Sequence, residues 1–257
     1  MRIVVKVGTS TLAHATGLLN IRRVEQLCAV MSDLKNAGHQ LILVSSGAIG
    51  MGVGKLRLSS RPTDIPTKQA AAAVGQCELM YTYDKLFTEH NHTVAQLLVT
   101  GADLSHEDRR DNFRNTLFRL LELGALPIVN ENDTVATEEI VIGDNDTLGA
   151  IVATHTQADL LILLTDIDGL YTADPHTDPS ATLLTEVTEI TPAIEGMVGG
   201  AGSKLGTGGM ATKLSAARIA TAAGVTMVIA NGQDPAVLYD IVDGKPVGTR
   251  FIAKENA

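Results

Sequence analysis

The stretch RIVVKVGTSTL (residues 2–12) decides the architecture. It opens as an apolar, β-branched run and passes into Gly8 and the hydroxyl residues Thr9, Ser10 and Thr11, with Lys6 set near the close of the run. A lysine at the end of a parallel strand, beside a turn rich in backbone N–H groups, is well placed to receive phosphate. Alone, the same residues fit an ordinary strand end with a solvated side chain, so the neighbouring segments decide.

On either side of this stretch and along the rest of the chain, strand-like runs alternate with helical periods. Strands are expected at residues 3–7, 41–44, 93–100, 126–130, 160–165 and 226–230. Between them, Ile21, Val24, Leu27, Cys28, Met31 and Leu34 recur at helical spacing, with Asn20 as N-cap and Gly38 as the stop. Further helices are expected over 66–89, over 109–123 (closed by Gly124), and over 146–155 and 210–223. The alternating, β-branched stretch 134–142 suggests a hairpin outside the main sheet. Repeated strand–helix–strand units with apolar strands give an α/β fold, a three-layer αβα sandwich on a mostly parallel open sheet. No repeat, low-complexity tract or linker divides the chain, so one unit is expected over 1–257.

Composition narrows the function. Of 257 residues 45 % are hydrophobic but only 3 % aromatic, so Val, Ile, Leu and Ala must build the core, as in a helix-covered parallel sheet. A formal net charge of −9 without a basic stripe argues against a nucleic-acid surface. The chain starts directly in a strand and holds no apolar run able to span a bilayer, which reads as cytoplasmic with no membrane partner. Cys28 and Cys77 sit in helical-looking apolar segments and read as buried free thiols, a disulfide remaining open. The lone His90-x-His92 lacks a third ligand of matching type, so no protein metal site is expected there.

Three glycine turns follow strands or precede helices. They are Lys6–Val7–Gly8–Thr9–Ser10; VSSGAIGMG, where Ser45, Ser46 and Gly47 follow the second strand; and GTGGMATK, with Gly206, Gly208 and Gly209 ahead of Lys213. Any one of them is most simply a turn. Three of them with two lysines favour an anion-binding cleft at the carboxyl ends of the strands, where open α/β sheets bind ligands. The motif GxGxxG is absent, as are GxxxxGK[ST], HRD and DFG, which excludes a dinucleotide fingerprint, a P-loop and a protein kinase.

Between these turns lie VNENDTVA and IGDNDTLGA, which concentrate Asn130, Asn132, Asp133, Asp144, Asn145 and Asp146 where ligand loops belong. Amides and carboxylates together suit an amino-acid zwitterion. Turn and cap chemistry is the plain alternative, and Asp144 fits a cap. Downstream, LLTDIDGLYTADP puts Thr165 and Asp166 at the end of the most apolar strand, as nucleotide ligands or as a cap.

KVGTS, SSGAI, NENDTVA, GDNDTLGA, LLTDIDGLYTADP and GTGGMATK, in this order, resemble the amino acid kinase family over essentially the whole chain. Their substrate loops resemble those of members that phosphorylate glutamate. Many of these carry a C-terminal PUA domain, whereas this chain stops at GTRFIAKENA and resembles the form without one. The resemblance implies ATP-dependent phosphorylation of the L-glutamate side-chain carboxylate, with Mg²⁺ on the phosphates. Catalysis would fall to Lys6, Lys213 and Asp146, the aspartate holding the lysines. Ser46, Asp133 and Asn145 would bind glutamate. Lys6, Thr165, Asp166, Thr207, Gly208, Gly209, Met210, Ala211, Thr212 and Lys213 would surround ATP. Also implied are proline as feedback inhibitor, glutamyl phosphate reductase as functional partner, and a homo-oligomer, dimer or tetramer. Rival readings are a sibling kinase acting on acetylglutamate or aspartate and a non-catalytic amino-acid sensor.

Overall fold

The computed structural model describes residues 1–14, 18–136, 144–175, 177–198 and 209–254. Among them, the strands are β1 (Arg2–Val7), β2 (Gln40–Ser45), β3 (Val94–Val99), β4 (Leu126–Glu131), β5 (Leu160–Thr165), β6 (Glu186–Val187), β7 (Thr226–Asn231) and β8 (Thr249–Phe251). The helices are α1 (Thr9–Leu12), α2 (Ile21–Asn36), α3 (Ala48–Lys55), α4 (Ile65–Thr88), α5 (Gly101–Ser105) and α6 (Glu107–Glu122). They continue with α7 (Asn145–His155), α8 (Pro192–Val198), α9 (Met210–Ala222) and α10 (Val237–Val242).

The strands form one sheet in the order β3-β4-β2-β1-β5-β7-β8-β6. Every pairing is parallel except β7 with β8. β1 lies at the centre, and its register sets Lys6 opposite Val44 of β2 and Leu163 of β5.

Period-two alternation divides the strand residues between two cores. Val4, Ile42, Val129, Leu161, Leu163 and Ile229 pack with α6, α7 and α9, through Leu117, Val152, Ala216 and Ala217. Ile3, Val5, Leu43, Ile128, Ile162 and Val228 pack with α2, α4 and α10, through Leu27, Met31, Leu79, Phe87 and Leu238. Helices therefore cover both faces, as the sequence predicts for strands this apolar. Lys6, in phase with Val4, belongs to the face of α7 and α9.

The caps follow local chemistry. Asn20 accepts from Arg23 N, Asp64 from Thr67 N and Asp144 from Thr147 N. The stretch read as the second glycine turn is a two-residue connection, Ser46–Gly47, leading into α3: Gly47 adopts φ +101°, which L side chains rarely tolerate, and the helix starts at Ala48. Packing explains why α3 carries glycines. A Cβ on Gly52 would stand 1.8 Å from Ala71 O, and one on Gly75 would stand 1.7 Å from Ala48 O. Helices α3 and α4 thus cross backbone to backbone.

The cysteines are free, with Cys28 buried and Cys77 exposed on α4, which corrects the expectation of two buried thiols. Burial drives the Cys28 thiol far upward, so it stays protonated. Most of the expected 134–142 hairpin lies outside the described residues; residues 133–135 form a turn. No helix among the described residues is long and apolar enough to cross a membrane.

Candidate active site

Three charged side chains meet beyond the carboxyl end of β1. Lys6 Nζ stands 2.6 Å from Asp146 Oδ1, and Lys213 Nζ stands 3.1 Å from Asp146 Oδ2. All are buried: Asp146 is 1 % exposed, Lys213 5 % and Lys6 8 %. Burial pushes the Asp146 carboxyl upward, but Lys6 and Lys213 together outweigh it and hold the group below the usual carboxylate range. Asp146 occupies the first turn of α7, where the helix dipole favours an anion. Lys213 sits near the start of α9, where that dipole disfavours a cation, so its position is set by what it faces rather than by its helix. Thr212 Oγ1 adds a donor within 3.1 Å of Asp146 Oδ2.

The arrangement brings two cations to one point of the sheet edge and steadies them with one carboxylate. Gly8, the α1 N-cap, and Gly209, the α9 N-cap, contribute no side-chain cap, which leaves N–H groups to meet an anion.

A second cluster is built of amides and hydroxyls. Asn145 Nδ2 lies 2.7 Å from Ser46 Oγ, 3.2 Å from Ser45 O and 3.1 Å from Asn130 Oδ1. Ser46 opens the loop from β2 into α3, while Asn145 opens α7 one residue before Asp146. The two clusters are therefore contiguous. Asp144 is the α7 cap, as its sequence context allows; burial raises its pKa against the pull of the Thr147 N–H.

Asp133 sits in the turn after β4, half-buried, and burial raises its pKa while Arg61 draws it back. No hydrogen bond among the described residues joins Asp133 to Ser46 or Asn145. At the end of β5, beside β1, Thr165 Oγ1 donates to Asp166 Oδ1 at 3.1 Å. Met210, Ala211, Thr212 and Lys213 make the first turn of α9, whereas Thr207 and Gly208 lie outside the described residues. Sequence reasoning gave no role to Gln76 and only a loop position to Asn130. Their contact spans 54 residues, and a lone glutamine on an alanine-rich helix carries no local signal.

A mostly parallel sheet with two lysines gathered at its carboxyl edge defines a class, the α/β proteins that bind anionic ligands there. The chain belongs to the amino acid kinase family, whose model matches residues 1–231. A glutamate 5-kinase of Clostridium perfringens is 55 % identical over 258 residues, covering 99 % of this chain and 96 % of that protein. One of Listeria welshimeri is 53 % identical, covering 100 % and 94 %. Another, from Moorella thermoacetica, is 54 % identical over 99 % of this chain but 68 % of its own length. Among solved structures, carbamate kinase from Giardia lamblia bound to AMP-PNP matches at TM-score 0.70 and 19 % identity, covering 98 % of each chain. Isopentenyl phosphate kinase of T. acidophilum matches at TM-score 0.68 and 17 % identity, covering 98 % of this chain and 100 % of that one. Those two likenesses concern the fold.

Proposed function

We propose that the chain transfers the γ-phosphoryl group of ATP to the side-chain carboxylate of L-glutamate, giving L-glutamyl 5-phosphate, the first step of proline biosynthesis. The glutamate 5-kinases that match nearly end to end support the reaction. The observation that carries the mechanism is the buried Lys6–Asp146–Lys213 cluster at the carboxyl edge of the central strand.

A glutamate side chain has a reference pKa of about 4.3, so the nucleophile is already ionised at neutral pH and needs no general base. The difficulty is electrostatic, because an anionic carboxylate must approach an anionic phosphate while charge spreads over the equatorial oxygens. Lys6 and Lys213 neutralise that charge, and Asp146 keeps both ammonium groups in place when no phosphate is there to do so. Ser46, Asn145 and Asp133 bind glutamate, with Asp133 facing the ammonium group. Asp133 is half-buried and already feels the positive charge of Arg61, an environment in which a second cation, the substrate ammonium, further favours its ionised form. An acetylated nitrogen carries no charge, so the same carboxylate disfavours acetylglutamate.

Thr165, Asp166 and the run from Thr207 through Gly208, Gly209, Met210, Ala211, Thr212 and Lys213 surround ATP. Among the described residues no group of three or more His, Cys, Asp or Glu could hold a metal ion. Mg²⁺ arrives on the nucleotide phosphates, where it screens their charge. Proline acts as feedback inhibitor near the glutamate pocket. The enzyme works in the cytoplasm as a homo-oligomer, and its labile acyl phosphate passes to glutamyl phosphate reductase.

Incubation with ATP, Mg²⁺ and hydroxylamine, with glutamate, acetylglutamate or aspartate in parallel, tests the reaction. Hydroxamate from glutamate alone is expected. Hydroxamate from another acid instead would overturn the substrate, and none from any acid would favour a sensor.

A further inference from the structure

We infer that Gln76 is a positioning residue for glutamate: through Asn130 it holds the Asn145 amide with its oxygen turned toward the substrate. The inference rests on the reading that Ser46 and Asn145 bind glutamate, and it assigns each of them one part of the zwitterion.

Backbone groups fix the direction of every bond in this network. Glu131 N is a donor and gives its proton to Asn130 Oδ1 at 2.9 Å. The Asn130 nitrogen must then point the other way, and it donates to Gln76 Oε1 at 2.9 Å. Asn145 reaches Asn130 Oδ1 and the backbone carbonyl of Ser45, neither of which can donate, so its nitrogen is the atom turned inward. That nitrogen has two protons for three acceptors, the third being Ser46 Oγ at 2.7 Å. Asn145 is left with only its carbonyl oxygen to offer a ligand, which suits an ammonium group. Ser46 accepts from Asn145 and has its own proton to give, which suits a carboxylate.

Gln76 anchors the far end. It is 7 % exposed, on a helix whose other large buried side chains are Leu79, Tyr83 and Phe87, and Asn130 on β4 is 2 % exposed. Buried amides need partners, and each serves as the other's. The place of Gln76 is set by its neighbour Gly75, whose backbone rests on Ala48 of α3, two residues past Ser46. One helix contact therefore fixes both ends of the network. Without an acceptor at position 76, the Asn130 nitrogen is buried unpaired and the amide turns to find a partner, releasing one of the contacts that orient Asn145.

The test compares L-glutamate with glutarate, which has both carboxylates but no ammonium group, as substrate and as competitive inhibitor. Gln76→Met is expected to raise the KM for glutamate roughly tenfold. The kcat and the KM for ATP should stay within about twofold, and the Ki of glutarate should barely move, so the preference for glutamate shrinks by the same factor. Gln76→Glu, which retains an acceptor oxygen, should lie closer to the parent than to Gln76→Met. If circular dichroism shows that Gln76→Met does not fold, Gln76→Ala carries the same expectation, since alanine is readily accepted in a helix. An unchanged ratio of glutarate Ki to glutamate KM, or an equal rise in the KM for ATP, would overturn the inference. A parent enzyme that forms no hydroxamate from glutamate would overturn the functional reading itself, a result distinct from a working parent with an unaltered ratio.

Discussion

Replacing Asp146 by asparagine keeps the shape of the side chain and removes the carboxylate charge that lies 2.6 Å from Lys6 and 3.1 Å from Lys213. With the carboxylate 1 % exposed and the lysines 8 % and 5 % exposed, water cannot substitute for it. Removing one partner from a buried ion pair costs about 3–5 kcal/mol, because an uncompensated charge stays inside. For a chain of this length each kcal/mol lowers Tm by about 2–4 °C, so Asp146→Asn should melt roughly 6–20 °C below the parent. A domain with about 5–15 kcal/mol of stability remains folded at 25 °C after that loss. Turnover should fall by on the order of 10² or more, as the displaced ammonium groups no longer meet the transferring phosphoryl.

The combined variant Lys6→Met, Asp146→Leu, Lys213→Met separates stability from function. Apolar replacement of a whole buried ion cluster is often neutral or stabilising, so this variant should melt well above Asp146→Asn, near the parent, and show no kinase activity. Differential scanning fluorimetry and steady-state ADP release read both quantities. An Asp146→Asn protein that melts within about 2 °C of the parent, or a triple variant no more stable than the single one, would refute the reasoning that the carboxylate offsets two buried charges.

Lys6→Ala and Lys213→Ala should each reduce kcat by on the order of 10² while circular dichroism shows an intact fold; near-parental turnover in either would remove that lysine from the mechanism. Asp133→Asn should raise the KM for glutamate far more than that for ATP. Because burial lifts the Asp133 pKa above its ordinary value, the KM for glutamate should climb as pH falls toward that raised pKa, before ordinary carboxylates protonate, and the variant should lose this dependence. Asp103 caps α5 reciprocally with Thr100, and the Thr100 hydroxyl holds its pKa down against burial. Its stabilisation is full above the unfolded carboxylate pKa of about 3.9 and disappears as pH falls through the lower folded value. Asp103→Ala should therefore cost about 1 kcal/mol in urea unfolding at pH 7 and almost nothing at pH 2.

The central strands were legible because a strand buried on both faces must be apolar throughout, and residues 160–165 are LLILLT. Helix starts at Asn20 and Asp144 were legible for the same kind of local reason, a short polar side chain ahead of a helix. Lys6 stood out in the sequence because it interrupts an apolar strand, and Lys213 because it follows a glycine-rich turn, whereas Asp146 was one of six polar residues in two loops and took its role from the family resemblance; the convergence of the three is a property of the crossover topology. Helix α3 was hidden by Gly50, Gly52 and Gly54, which weaken helix propensity but let Gly52 and Gly75 bring two backbones together. The outer strands β6 and β8 span two and three residues, too few to show a period. Gln76 was unreadable because its meaning lies in Asn130, a residue distant in sequence and adjacent in space.

The most direct measurement follows an oxygen atom. Glutamate labelled with ¹⁸O in its side-chain carboxylate is turned over with ATP and Mg²⁺ in the presence of hydroxylamine, and the released phosphate is examined by ³¹P NMR. Attack of the carboxylate oxygen on the γ-phosphorus breaks its bond to ADP and makes that oxygen the bridge of an acyl phosphate. Hydroxylamine then attacks the acyl carbon and expels phosphate carrying the bridging oxygen. One ¹⁸O is expected in each phosphate, formed in step with hydroxamate and lost together with it in Lys6→Ala and Lys213→Ala. Unlabelled phosphate would mean that water, not glutamate, takes the phosphoryl group, and would contradict carboxyl transfer.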